Sequence, residues 1–158
     1  MTAPDLVRHL HLLPHPEGGY YRETYRSAHT VTTDEAHTRN GSTAIYYLLE
    51  NEDRSCFHRI KSDELWFFHK GQTLEIVLIA DGQATTIILG NDLEKGEQLQ
   101  AVVPANTWFA AQVKQRVGYA LVSCTVAPGF DFTDFELAER AELTAQFPHL
   151  QDLIEKFT

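Results

Sequence analysis

The chain has 158 residues, 43% of them hydrophobic and 22% charged, enough to build one compact core without disulfide or metal staples. Its net charge of −9, from 13 basic and 22 acidic residues, argues against a nucleic-acid partner, because phosphate binding rests on clustered Lys and Arg. No apolar run approaches the roughly 18 residues of a membrane span, so no membrane partner is expected.

The N-terminus has neither a basic start nor an apolar stretch before a small-residue cleavage site, so no secretory signal is expected. Cys56 and Cys124 sit in apolar, strand-like runs and read as buried free thiols, which fits a cytoplasmic protein. Arg8, Arg22, Arg26, Arg39, Arg54, Arg59 and Lys61 are seven of the 13 basic residues and all lie in the first 61 positions. That asymmetry raises an anionic ligand as an expectation, against the plainer reading of a solvated acidic face further on.

Three zones follow in chain order, with no repeat or linker to divide them, so 1–158 reads as a single domain. In residues 2–13, Leu6, Leu10 and Leu13 recur at helical spacing, and Thr2 with Asp5 resembles a capping box. Pro14, Pro16, Gly18 and Gly19 end that helix. Residues 20–128 read as strands throughout: TAIYYLLE, SCFHRI, ELWFFHK, TLEIVLIA, ATTIILG, LQAVVPA and YALVSCTVA are separated by turn material. Asp81-Gly82 between two apolar runs predicts a tight hairpin. Many short strands with no helix between them imply an all-β antiparallel sandwich or barrel. The last zone reads as short helices. Thr133 and Glu136 form an S/T-x-x-E box before FELAERAELTAQF, and Pro148 precedes a final helix around LQDLIEKF.

The chemistry concentrates in residues 57–71, FHRIKSDELWFFHKG. Strand alternation puts His58 and Ile60 on one face, and Glu64, Trp66 and Phe68 on one face of the next strand. If those faces meet, an imidazole and a carboxylate share an aromatic cavity where burial shifts their pKa values. If ENED closes an even hairpin, Tyr47 joins the His58 face; an odd loop selects Tyr46. His69 has the opposite parity and should point outward. His9, His11 and His15 lie on a polar segment and read as surface residues. Arg22 is the candidate clamp for a carboxylate or phosphate.

His58, Ile60, Glu64 and Gly71 resemble the first cupin motif, with Ile60 in place of its second histidine and Glu52 in place of its opening glycine. VVPANTWFAAQV is similar to the second motif: Pro104 fits, Asn106 replaces the turn glycine, Phe109 the histidine and Val113 the asparagine. Asn tolerates positive φ, so the turn survives that change. Over nearly the whole chain, HPEGGYYRETYRS, STAIYYLL, HRIKSDELW, VVPANTW and CTVAPGFDFTDFELA resemble the functionally uncharacterised cupin-5 family. That resemblance implies a double-stranded β-helix, or jelly-roll barrel, with short N- and C-terminal helices, and a homodimer.

The expected function is a pocket that binds or transforms a small polar, anionic metabolite. As an enzyme it would be a metal-independent isomerase or epimerase, with His58 as base, Tyr47 or Tyr46 as acid and Glu64 as electrostatic partner. Arg22, Trp66, Phe68 and Phe109 would contact the ligand. Two alternatives stand beside this: a non-enzymatic binding module, and a metal enzyme with a degenerate divalent-metal site at His58 and Glu64. With the motif histidines replaced at Ile60 and Phe109, no metal cofactor is expected, since protein metal sites generally use three or four ligands. A dimer contact is expected along residues 20–27, because edge strands need covering.

Overall fold

The structure is a computed structural model that describes residues 1–158. Helix α1 (Ala3–His9) opens the chain, followed by strands β1 (Leu13–Pro14), β2 (Tyr20–Arg26), β3 (Thr30–Thr32), β4 (Thr38–Asn40), β5 (Thr43–Glu50) and β6 (Arg54–Arg59). Then come β7 (Asp63–Gly71), β8 (Leu74–Ala80), β9 (Gln83–Leu89), β10 (Gln100–Val103), β11 (Trp108–Val113), β12 (Tyr119–Ala127) and β13 (Glu136–Leu137). Helices α2 (Arg140–Gln146) and α3 (Gln151–Lys156) close it.

The strands form two antiparallel sheets facing each other as a jelly roll, one in the order β1-β2-β5-β12-β7-β10 and the other β13-β6-β11-β8-β9. Strands β3 and β4 make a separate hairpin. Tyr47, Trp66, Ile76, Phe109, Val122 and Cys124 belong to the core between the sheets. Strand β8 reads as a continuous apolar run because both its faces are buried. Ile76 and Leu78 point into the barrel, while Val77 and Ile79 pack outward against Leu143, Ile154 and Phe157 of the C-terminal segment. On the other side, Ala3, Leu6 and Leu12 cover Leu48 and Leu121. No helix is long and apolar enough to cross a membrane.

The predicted Asp81-Gly82 hairpin joins β8 to β9, with positive φ at both residues (52° and 74°), as a type I′ turn requires. Asn106 adopts φ 60°, so it does serve as the turn residue in place of glycine. Thr2 and Asp5 form the expected capping box on α1.

Two expectations about the ends are corrected. Leu13 is not on the helix: α1 stops at His9, and Leu13 is an exposed strand residue that Pro14 holds extended. Thr133 and Glu136 do not cap α2 either. Asp131 takes the Thr133 N–H at 2.9 Å and winds a single 3₁₀ turn, while Glu136 lies in β13, paired with Arg59 of β6. Helix α2 starts later, after Glu139, without a side-chain cap.

Candidate functional site

A cavity of about 270 Å³ opens between the two sheets. His58 of β6 and Glu64 of β7 both line it, together with Ile60, Trp66, Tyr47 and Cys124. They arrive from opposite walls, because β6 pairs with β11 and β13 whereas β7 pairs with β12 and β10. The same crossing removes the premise of the tyrosine argument. β5 and β6 lie in different sheets, so the odd loop of residues 51–53 carries no register information. Tyr47 is the inward residue; Tyr46 packs on the outer face with the α1 cluster and is not brought to the site.

The cavity also contains a carboxylate that the motifs do not mark. Glu17 is buried, and its Oε2 lies 2.9 Å from His58 Nδ1. It sits in a turn that only the glycines after it permit. A Cβ at Gly18 (φ 113°) would lie 2.0 Å from the Arg54 carbonyl oxygen, and one at Gly19 (φ 74°) 2.5 Å from that of Leu48. The turn is fastened from below, since the Tyr47 hydroxyl donates to the Gly18 carbonyl at 2.6 Å.

His58 Nδ1 has one proton and two acceptors: the Cys56 carbonyl at 2.7 Å and Glu17 Oε2 at 2.9 Å. The carbonyl has the better hydrogen-bond geometry, which leaves Glu17 Oε2 without a regular hydrogen bond, so the Glu17 contact is chiefly charge pairing. Either way the Nδ1 proton is held, and titration falls on Nε2, the ring nitrogen left for the cavity. Burial alone would lower the His58 pKa; the Glu17 charge reverses this and holds it above the ordinary value. Glu17, whose burial would raise its pKa, is in turn held below its ordinary value, chiefly by His58.

Glu64 behaves oppositely. Burial pushes its pKa up to about 7, with Glu17 adding to the rise and His58 only partly offsetting it. The Cys124 thiol beside it is a neutral group, raised well above its ordinary pKa by burial and then by Glu64. Trp66 Nε1, also in the wall, is buried without a regular hydrogen-bond partner, and its N–H works weakly against the rise in the Glu64 pKa.

The aromatic expectations divide. Trp66 lines the cavity. Phe109 is fully buried behind His58, its ring centroid 4.1 Å from the imidazole, and supports the ring without reaching the cavity. Phe68 packs against the core between the sheets and does not line the cavity. The outer wall is instead Phe130, Phe132 and Phe135, with Phe135 stacked on His58 at 5.4 Å.

Arg22 borders the cavity, but its guanidinium lies 6.0 Å from the centroid of Tyr46, on the outer side. The arginine in phase with the interior is Arg26. A bulge between Glu23 and Tyr25 shifts β2 so that Tyr21, Glu23 and Arg26 face Tyr47, Ile45 and Thr43. Arg26 is already bound by both Glu23 oxygens at 2.8 Å. His15, read from the sequence as a surface residue, lines the cavity with its side chain 9% exposed, edge-on to Tyr21 and Tyr47. His69 is exposed, as its parity predicts, within 2.5 Å of Ser123 Oγ.

A jelly roll whose pocket takes a histidine and a glutamate from consecutive strands of opposite sheets is a cupin barrel. The chain belongs to the Cupin_5 family, described as cupin superfamily (DUF985), whose model matches residues 4–138. It is 33% identical to an uncharacterized protein of Saccharomyces cerevisiae, YML079W, over 84% of this chain and 73% of that one. Among solved structures it resembles a hypothetical protein from Leishmania major (37% identity, TM-score 0.95, 100% and 99% of the two chains). It also resembles protein SO0799 of Shewanella oneidensis (40% identity, TM-score 0.92, 100% and 98%). Oxalate decarboxylase from Bacillus subtilis shares the fold alone, at 14% identity and TM-score 0.58 over 92% of this chain and 36% of that one.

Metal-binding cupins hold their ion with several histidines and a glutamate. Here the corresponding places are Ile60 and Phe109, and no group of three or more His, Cys, Asp or Glu side chains is arranged to hold an ion. The donor set does not fit a resident metal.

Proposed function

We propose that the cavity binds a small polar carbonyl compound and moves a proton on the carbon beside the carbonyl, an isomerase or epimerase reaction that uses no metal. The observation that carries this reading is the pairing of two oppositely tuned groups in one cavity. Glu17 at 2.9 Å favours the charged form of His58, and Glu64 is poised near neutrality. A group that exchanges a proton at carbon works best with a pKa near the operating pH, and Glu64 meets that condition.

In this reading the Glu64 carboxylate takes the carbon-bound proton. The C–H electrons move toward the carbonyl oxygen, which accepts a hydrogen bond from His58 Nε2–H. Glu64 then returns the proton. The roles of His58 and Glu64 are thus exchanged relative to the sequence expectation, and neither tyrosine acts as the acid. Tyr47 gives its hydroxyl proton to Gly18, and Tyr46 is outside.

The ligand is polar but uncharged. Of the bordering arginines, Arg26 is neutralised by Glu23 and Arg22 turns to Tyr46.

The test is deuterium exchange into small carbonyl compounds in D₂O, followed by NMR. Exchange that falls at least about 100-fold in Glu64→Gln supports the reading, that being the usual scale of a general acid–base group. Undiminished exchange in that variant overturns it. Binding without exchange would make the protein a non-enzymatic binding module.

A further inference from the structure

His15 and His58 are both held by Glu17, through different parts of the residue. The Glu17 backbone N–H donates to His15 Nδ1 at 3.1 Å, while its carboxylate sits against His58 Nδ1 at 2.9 Å. An Nδ1 that accepts a hydrogen bond carries no proton, so the proton of neutral His15 is on Nε2. The 3.6 Å approach of His15 Nδ1 to Glu17 Oε1 is therefore not a salt bridge, because the nitrogen involved is already an acceptor. Burial keeps the ring uncharged by holding its pKa below the ordinary value. Both rings line the cavity, and neither Nε2 has a protein partner.

We propose that His15 is a second ligand-binding donor, and that the His15–His58 pair selects a carbonyl compound with a second oxygen on the neighbouring carbon, an α-hydroxycarbonyl. This rests on the proton-transfer reading and names its substrate class. A ligand with one acceptor oxygen meets only one of the two N–H groups, and sites built around such donors discriminate strongly against ligands that lack the acceptor. The aromatic wall of Tyr21, Phe130 and Phe135 covers the carbon skeleton.

The step balances without a co-reactant. Glu64 removes the proton from the hydroxyl-bearing carbon, and those electrons form the C=C bond as the carbonyl π pair moves to oxygen. The hydroxyl proton passes to that oxygen along the enediol. Glu64 delivers its proton to the former carbonyl carbon, and the carbonyl forms on the other carbon. A neutral, tautomer-fixed imidazole suits such an intermediate because it donates a hydrogen bond without adding a charge.

The test compares dihydroxyacetone with acetone in D₂O, followed by NMR for exchange and by line broadening for binding. Two variants separate the roles of His15. In His15→Asn the side-chain oxygen replaces Nδ1 as the acceptor for Glu17 N–H, and no donor remains at the Nε2 position. In His15→Gln an amide N–H stands where Nε2–H was.

The wild type is expected to prefer dihydroxyacetone at least about tenfold in kcat/KM, a discrimination well inside what one unpaired donor produces. His15→Asn should bring that preference close to one, and His15→Gln should restore part of it. No preference in the wild type, or an unchanged one in His15→Asn, overturns the inference and leaves the proton-transfer reading standing. If dihydroxyacetone binds in preference to acetone without exchanging, and His15→Asn loses the preference, the donor pair stands and the proton-transfer reading falls. Failure of dihydroxyacetone to bind at all overturns the donor pair.

Discussion

His58 and Glu17 meet at 2.9 Å inside the barrel, the imidazole on a strand and the carboxylate on a turn before the first long strand. Their side chains are 5% and 7% exposed. A buried charge must be paired or given up, so each member sets the ionisation of the other. The histidine that marks the family motif is therefore governed by a residue outside it.

Glu17→Gln should flatten the pH dependence of stability. Glu17, with its pKa lowered in the fold, contributes above its ordinary 4.5 and loses that contribution as pH falls through the folded value. His58, with its pKa raised, contributes fully below its ordinary 6.5 and loses it as pH rises through the folded value. The pair is thus worth most between 4.5 and 6.5. In that window the variant should lose about 2 kcal/mol, a loss limited because His58 can shed its proton. Denaturant titrations from pH 4 to 9 check this; an equal loss at every pH would contradict it.

Glu64→Gln should do the reverse. A carboxyl raised to about 7 favours the protonated form in the fold, so stability declines as pH rises from 4.5 to 7 and stays low above that. The neutral amide avoids this penalty, which by roughly 1.4 kcal/mol per pKa unit approaches about 3 kcal/mol. The variant should melt higher than wild type at pH 8 and together with it at pH 4. A lower melting temperature at pH 8 would show that the carboxylate is stabilised in the fold.

The two sheets were legible because alternation and turn residues are local signals: Asp81-Gly82 and Asn106 each specify a backbone conformation. His58, Glu64 and Trp66 were placed inside by parity along strands with no interruption between motif and pocket. Arg26 was missed because a bulge in β2 reverses parity there, and nothing in GGYYRETYRS marks the extra residue. Glu17 and His15 were missed because their positions depend on a loop that folds back across β5 and β6. The one available hint was the Gly18-Gly19 pair, which signals close backbone approach. Cys124 could have been found, since it shares parity with Val122 and Val126 in β12. The tyrosine choice depended on which strands pair, and pairing across a sandwich is a long-range property.

The dimer expected along residues 20–27 would form on an open strand edge. Strand β1 covers only Tyr20 and Tyr21, so the outer edge of β2 is open from Arg22 onward, and Tyr25 is 56% exposed. An open edge with an exposed aromatic invites pairing with a second copy. Sedimentation velocity at micromolar concentration should show a dimer, and Tyr25→Lys should shift it toward monomer. A wild-type monomer would remove this edge from consideration.

Tyr47 offers the sharpest distinction between a proton donor and a fastener. Its hydroxyl is spent on the Gly18 carbonyl at 2.6 Å, and burial raises its pKa well above the ordinary phenol value, so its proton is both committed and hard to release. Tyr47→Phe leaves that carbonyl unpaired beneath the turn that carries Glu17, and should cost about 1–3 kcal/mol of stability. Any effect on exchange should come only through loosening of Glu17 and stay within about tenfold. An acid that protonates the ligand would instead lose about 100-fold or more. Measuring unfolding and deuterium exchange on the same preparation separates the two. A stable variant with exchange down 100-fold would return Tyr47 to the chemistry and take the proton-donor role from Glu64.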